Sequence, residues 1–241
     1  MIPLQLANTI ASEIKQQYKK VGIKVKLNPH EYFLDGDESQ ESSAYFNSQD
    51  LIHISTKDRD TNDWLLNLLH ETCHADQMLE NSSLWELTFI NNIDMAHIAQ
   101  LWIDRHIELS PTQITDVFLP LAVLELDAEK RTVQKIKKYD LRIYLNIKYY
   151  IQQAHAYAAS YMVTSDSRVR AWIPAHKPPY EATGLVSQMA DEFTPMSAVD
   201  CYKRYPSMFE NFYPELFTNK NHVKRLCHTR NNAIEEWIHL T

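Results

Sequence analysis

The sequence predicts an α+β fold, mostly helical, and three observations carry that prediction. Only 3 Gly accompany 10 Pro in 241 residues, too few for a Gly-punctuated sandwich or Rossmann fold. Apolar residues recur at steps of three and four over several long segments, the mark of amphipathic helices. Short alternating or β-rich patterns are confined to the stretch between Ile23 and Ser55.

Taken in order, Leu4, Ala7, Ile10, Ala11, Ile14 and Tyr18 define a first helix that Gly22 can end. Ile23 to Leu27, Ser43 to Asn47 and Leu51 to Ser55 follow as strands of a small, largely antiparallel sheet, with a turn signal at residues 34–37. Asp60 or Thr61 can cap the next helix, which carries Trp64, Leu65, Leu68 and Leu69 on one face and runs to about Leu79. Further helices are predicted over Ile93 to Glu108, from Pro111 to about Tyr139, and over Tyr144 to Met162. Pro120 predicts a break or kink near Leu119. Six prolines then divide the last third into short helices and loops.

Charge and composition exclude several classes. A net charge of −7 disfavours a whole-surface nucleic-acid binder, so no nucleic acid is expected as partner. Gly22, Gly36 and Gly184 are too scattered to cradle a phosphate. The longest apolar run, Val117 to Leu124, is far short of the ~20 residues of a membrane span, and Met1 to Ile14 lacks a basic leader region. A cytoplasmic protein without membrane contact is expected. Cys73, Cys201 and Cys227 have neither disulfide-framework nor zinc-knuckle spacing, which fits a reducing compartment.

Residues 70–74 read His-Glu-Thr-Cys-His, an HExxH motif inside the helix that begins at residue 60 or 61. Residues four apart on a helix share a face, so His70 and His74 can offer two imidazole nitrogens to one metal ion. Glu71 is rotated by about 100°, which sets its carboxylate beside that ion while leaving it free to act as a base.

A catalytic zinc site takes three protein ligands and leaves one position open. Glu80, ten positions after His70, has Gln77 before it where a turning Gly would be needed, so the helix carries it away from the metal. The stronger candidate is Glu125, which shares a stripe with Phe118, Leu121, Ala128 and Thr132. A carboxylate on so apolar a face needs a positive partner. Glu129, one turn on, is either the ligand itself or an acceptor that orients His70 or His74.

His70-Glu71-x-x-His74, followed 51 positions later by Glu125-Leu-Asp-Ala-Glu129, resembles the gluzincin class of zinc metallopeptidases. In that class a helix-borne Glu in a Glu-x-x-Ala-Asp-like motif completes the site; Glu129 stands here in place of the Asp. The resemblance implies a minimal zincin-like domain of N-terminal helix, small sheet, HExxH helix and Glu helix. More narrowly, residues 125–133 with Tyr150 to Tyr157 are similar to uncharacterised predicted metallopeptidases encoded by tailed bacteriophages. The implied domain covers residues 1–165, with a helical extension over 166–241.

The function expected is zinc-dependent hydrolysis of peptide bonds in a peptide or protein substrate, by metal-activated water with Glu71 as base. The alternative is a structural or assembly protein, as in a virion, that retains the fold without turnover. Trp172, Tyr180, Phe209, Phe212, Tyr213 and Phe217 in the last third suit docking to an assembly partner. Cys73 is expected to be a packed thiol. His155, Tyr157 and Tyr161 share a helix as core aromatics, with an oxyanion donor among them as the sharper alternative. The basic residues from Lys130 to Lys148, Lys135 included, are expected to form a solvated face.

Overall fold

The computed structural model describes residues 1–30, 33–34, 41–42, 44–90, 93–168 and 186–193. The described chain is mixed α+β, with a small three-stranded sheet. Two compact units divide it, one formed by Met1–Ser82 with Ala128–Asn146, the other by Ser83–Asp127 with the chain from Ile147 on. The turn signal at 35–37, Gly184, Cys201, Cys227 and the six aromatics expected to dock a partner lie outside the described residues.

In the first unit, helix α1 (Leu4–Lys19) buries Ala7, Ile10, Ala11, Ile14 and Tyr18, the stripe read from the sequence. Gly22, at φ +86°, closes it: the Ile23 amide donates to the Tyr18 carbonyl at 3.0 Å and the Gly22 amide to Lys19 at 3.2 Å. This pair of bonds satisfies carbonyls the helix end leaves open and needs the left-handed conformation that glycine adopts without strain.

Strands β1 (Lys24–Asn28), β2 (Phe33–Leu34), β3 (Glu41–Ser42), β4 (Ala44–Phe46) and β5 (Leu51–Ser55) follow. The main sheet has the order β1-β5-β4, with Ile52 and Ile54 of the central strand fully buried. β4 and β5 pair antiparallel, but β1 runs parallel to β5, from Lys24 opposite Leu51 to Asn28 opposite Ser55. The sheet is therefore mixed, which corrects the antiparallel expectation. The reason lies in the connections. Asn47 Oδ1 accepts from the amides of Gln49, Asp50 and Leu51 at 3.1, 3.0 and 2.9 Å, closing a tight β4–β5 turn. The chain between Asn28 and Leu51 is long enough to return in the same direction. Within it β2 and β3 form their own antiparallel pair.

Helix α2 (Thr61–Leu79) begins where Asp60 accepts the Asp63 amide at 2.9 Å, a side-chain N-cap. It buries Trp64, Leu65, Leu68, Leu69, Thr72, Cys73 and Ala75. Ala128, Thr132 and Ile136, in the second half of helix α5 (Pro111–Lys138), are equally buried in the same unit.

A polar knot joins three helices of this unit. The Lys135 ammonium lies 2.7 Å from the Asp76 carboxylate and donates to Thr72 Oγ1 at 2.8 Å and to Tyr18 Oη at 3.2 Å. The Tyr18 hydroxyl in turn reaches Asp76 Oδ1 at 2.5 Å and the Thr72 carbonyl at 2.9 Å. Lys135 is thus a bound cation and not part of a solvated face, because it pairs with a half-buried carboxylate on α2. Burial, and then the hydrogen bond to Asp76, hold the Tyr18 phenol well above its usual range.

The second unit contains α3 (Ser83–Glu86), the strand pair β6 (Phe89–Ile90) and β7 (Ile93–Asp94), α4 (Met95–Ile103), the first half of α5, and α6 (Ile147–Ser167). The helix expected over Ile93 to Glu108 is shorter at both ends. Ile93 and Asp94 are taken into the strand pair, and Asp94 then caps the Ala96 amide at 2.7 Å. At the other end Arg105 turns left-handed at φ 64°, so that His106 donates to Leu101 at 2.8 Å. Met95, Ala99, Trp102, Ile114, Val117, Phe118 and Leu121 make one apolar core, with Trp102 and Phe118 edge to face at 5.5 Å. Arg168 closes over it, lying 4.9 Å above the Trp102 ring and donating to the Trp102 and Ile107 carbonyls and the Glu108 carboxylate.

Helix α5 continues through Pro120 without the break that was one of the two expectations there, the other being a kink. Proline inside a helix costs about 3 kcal/mol. Phe118, Leu119, Leu121 and Leu124 are all buried around it, and each such side chain contributes about 1.5–3 kcal/mol, so burial outweighs the lost hydrogen bond. Among the described residues no helix is long and apolar enough to cross a membrane.

The Tyr18 knot predicts alkaline sensitivity. With its pKa raised in the fold, Tyr18 keeps its proton above pH ~10 while the unfolded chain loses it, so stability falls as pH rises past that point. Urea unfolding between pH 8 and 11 should show this decline, and Tyr18→Phe should flatten it while lowering stability at pH 8 by about 1–3 kcal/mol through the unpaired acceptors. An unchanged slope in the variant would show that the pH dependence has another source.

Candidate metal centre

One helical turn of α2 brings the two histidine rings together. His70 Nε2 and His74 Nε2 are 3.1 Å apart, with the rings at 84° and their centroids 4.7 Å apart. The other nitrogen of each ring meets an oxygen. His74 Nδ1 lies 2.9 Å from Gln77 Oε1, and His70 Nδ1 lies 3.2 Å from Glu129 Oε1. His74, Gln77 and Glu129 are at most 9% exposed.

The contact to Gln77 fixes one tautomer. An amide oxygen only accepts, so His74 Nδ1 carries a proton and, in the neutral ring, His74 Nε2 presents its lone pair towards His70 Nε2 at 3.1 Å. A cation placed between the two Nε2 atoms would be held by both rings. Ligands about 2.0–2.1 Å from a tetrahedral zinc lie about 3.3 Å apart, close to the separation seen. The donor set fits a borderline metal held by imidazole nitrogen.

Glu129 Oε1 lies on the Nδ1 side of the His70 ring, away from Nε2. Glu125 lies one turn earlier on the same continuous helix. Among the described residues, His70, His74 and Glu125 form a group whose ligand atoms all lie within 4.8 Å of one another. The Tyr161 hydroxyl donates to Glu125 Oε1 at 3.0 Å. Glu125 is half-buried, flanked along its stripe by fully buried Phe118 and Ala128.

The remaining sequence candidates fall as follows. Glu71 is half-buried on α2, next in sequence to His70. Cys73 is fully buried, its thiol donating to the Leu69 carbonyl at 3.1 Å and lying 3.5 Å from Thr132 Oγ1. Burial pushes this thiol above its ordinary range, as suits a packed group. Glu80 follows the end of α2 and pairs with Arg131 at 2.8 Å, outside the histidine group. His155 is buried, with Nδ1 donating to the Ala190 carbonyl at 2.9 Å and its ring against Phe193. Tyr157 Oη lies 3.3 Å from Tyr161 Oη.

Two contacts were missed in the sequence, that of Gln77 with His74 and that of Tyr161 with Glu125. Gln77 stands three residues after His74, a spacing at which helical side chains meet, so its role was open to inference. Tyr161 reaches Glu125 from another helix, and no local spacing signals that. No protein-family model, curated protein or solved structure matches the chain.

The geometry ranks the side chains by their effect on metal. His70→Ala and His74→Ala should each abolish retention of zinc, since two ligands seldom hold the ion. Glu129→Ala should weaken zinc affinity by about 10- to 100-fold, as loss of an orienting acceptor does. Zinc titration of the three variants checks the order, and equal affinity in all of them would remove the site.

Proposed function

We propose that the chain is a zinc-dependent peptidase in which His70, His74 and Glu125 hold the ion and Glu71 is the general base. The single observation that supports this most is the pair of Nε2 atoms brought within 3.1 Å of each other, with His74 Nδ1 bonded to Gln77 Oε1 at 2.9 Å and the Glu129 carboxylate 3.2 Å from His70 Nδ1. The resemblance of the two motifs to the gluzincin class points the same way.

Zinc held by these residues would supply a water of pKa ~7 and a positive charge for a carbonyl oxygen. The protein's part is positioning and proton transfer. Gln77 holds His74 in the tautomer that presents Nε2, and the Glu129 carboxylate lies beside His70 Nδ1. Glu71 accepts the proton of the attacking water on its carboxylate as the C–O bond forms, then delivers it to the amine as the C–N bond breaks. One proton thus passes from water to leaving group, and Glu71 ends the cycle ionised.

A second reading is a structural or assembly protein with a stabilising metal, favoured by the aromatic residues of the last third. A structural site has no use for Glu71, so that residue separates the two. The zinc-loaded full chain should cleave a mixture of quenched fluorescent peptides, stop on chelation and recover with added zinc. Glu71→Gln should keep its zinc and thermal transition but lose about 10²- to 10⁴-fold in rate. A variant as active as the parent would eliminate the mechanism; a zinc-loaded parent that cleaves nothing would leave the structural reading.

A further inference from the structure

Three hydroxyl and carboxyl groups of the second unit form a chain that ends on Glu125. Tyr161 Oη donates to Glu125 Oε1 at 3.0 Å, and Tyr157 Oη lies 3.3 Å behind Tyr161 Oη. The direction of both bonds follows from proton counting. A phenol has one proton, and Tyr161 spends it on the carboxylate, which cannot donate. The Tyr161 oxygen is then an acceptor only, so Tyr157 must be the donor to it. Hydrogen bonds aligned in one direction polarise each other, and the last one bears on a charged group, which makes it stronger than a bond between neutral partners.

The scaffold holds this chain still. Tyr157 and Tyr161 sit one turn apart on α6, their rings edge to face at 5.7 Å. The Tyr161 ring packs against the apolar core of Trp102, Phe118 and Leu121. Phe118 and Leu121 belong to α5, the helix that carries Glu125, so ring and carboxylate are fixed by the same packing.

We infer that Tyr161 is a positioning residue for Glu125, and that Tyr157 supports it by donating to its hydroxyl. The bond occupies Oε1 and fixes the carboxylate rotamer, which leaves Oε2 as the oxygen presented to a metal. It also commits the Tyr161 proton, so Tyr161 is not an oxyanion donor in this arrangement. A positioned ligand loses less conformational freedom when the ion binds, and that difference shows as affinity. The inference rests on Glu125 being a metal ligand and goes further in assigning what holds it.

The test uses the full chain, zinc and cobalt(II) as probes, and the variants Tyr161→Phe, Tyr157→Phe and both together. Phenylalanine keeps the ring in the core, so thermal unfolding of the metal-free variants reports whether packing survives. Tyr161→Phe should weaken zinc affinity by about 10- to 100-fold and alter the visible absorption of bound cobalt, which a purely structural role would not change. Tyr157→Phe should have a smaller effect, and none when added to Tyr161→Phe, because it acts through that hydroxyl. Parental zinc affinity and an unchanged cobalt spectrum in Tyr161→Phe, with Glu125→Ala still losing metal, would overturn the positioning role and leave the metal site standing. A parent chain that binds neither ion would overturn both. Additive losses from the two Tyr variants would overturn the relay from Tyr157.

Discussion

Two imidazole Nε2 atoms brought to 3.1 Å from each other by one turn of α2 are the constraint around which the polar groups of the first unit are arranged. Gln77 Oε1 meets the other nitrogen of His74 at 2.9 Å, and the Glu129 carboxylate lies 3.2 Å from His70 Nδ1, so α2 and the Glu129 turn of α5 must lie close together. The packing depends on small residues. Ala128 and Thr132 are fully buried on α5, and Cys73 of α2 meets the Thr132 hydroxyl at 3.5 Å, so bulky side chains at these positions would push the carboxylate of Glu129 away from His70.

The opposite flank of α2 shows the same economy. Asp76 is only two residues beyond His74, and a carboxylate there, about a quarter exposed, would be costly without a cation. Lys135 supplies it, with Thr72 and Tyr18 completing the coordination of its ammonium. Because Tyr18 is on α1, the knot fixes the first helix to the one that carries the histidines. Every polar group in it has a partner, and the arrangement resists local opening at the turn that places His74.

In the second unit, apolar burial supports what local chemistry would forbid. Pro120 lies in the middle of a continuous helix because Phe118, Leu119, Leu121 and Leu124 gain more from staying buried than the missing hydrogen bond costs. That continuity has a consequence for Glu125, five residues on, whose direction is set by the helix and whose oxygen is held by Tyr161. Arg168 contributes at a distance by closing the end of α4 over the Trp102 ring.

The sequence by itself determined the helices whose signals are local. The stripe from Ala7 to Tyr18, the Asp60 cap, Gly22 at a left-handed turn and Pro111 at a helix start are all read within a few residues. It also determined that His70 and His74 share a face, because helical geometry alone places residues four apart together. Only the tertiary structure decided what lies between elements distant in the chain. The parallel pairing of β1 with β5, the persistence of α5 through Pro120, the turning of Lys135 inward to Asp76, and the different neighbours of Glu125 and Glu129, Tyr161 for one and His70 for the other, all depend on which surfaces meet. Local periodicity says that a residue faces inward; it does not say which partner waits there, since that is fixed by the simultaneous burial of several helices and the need of each buried charge for an opposite one.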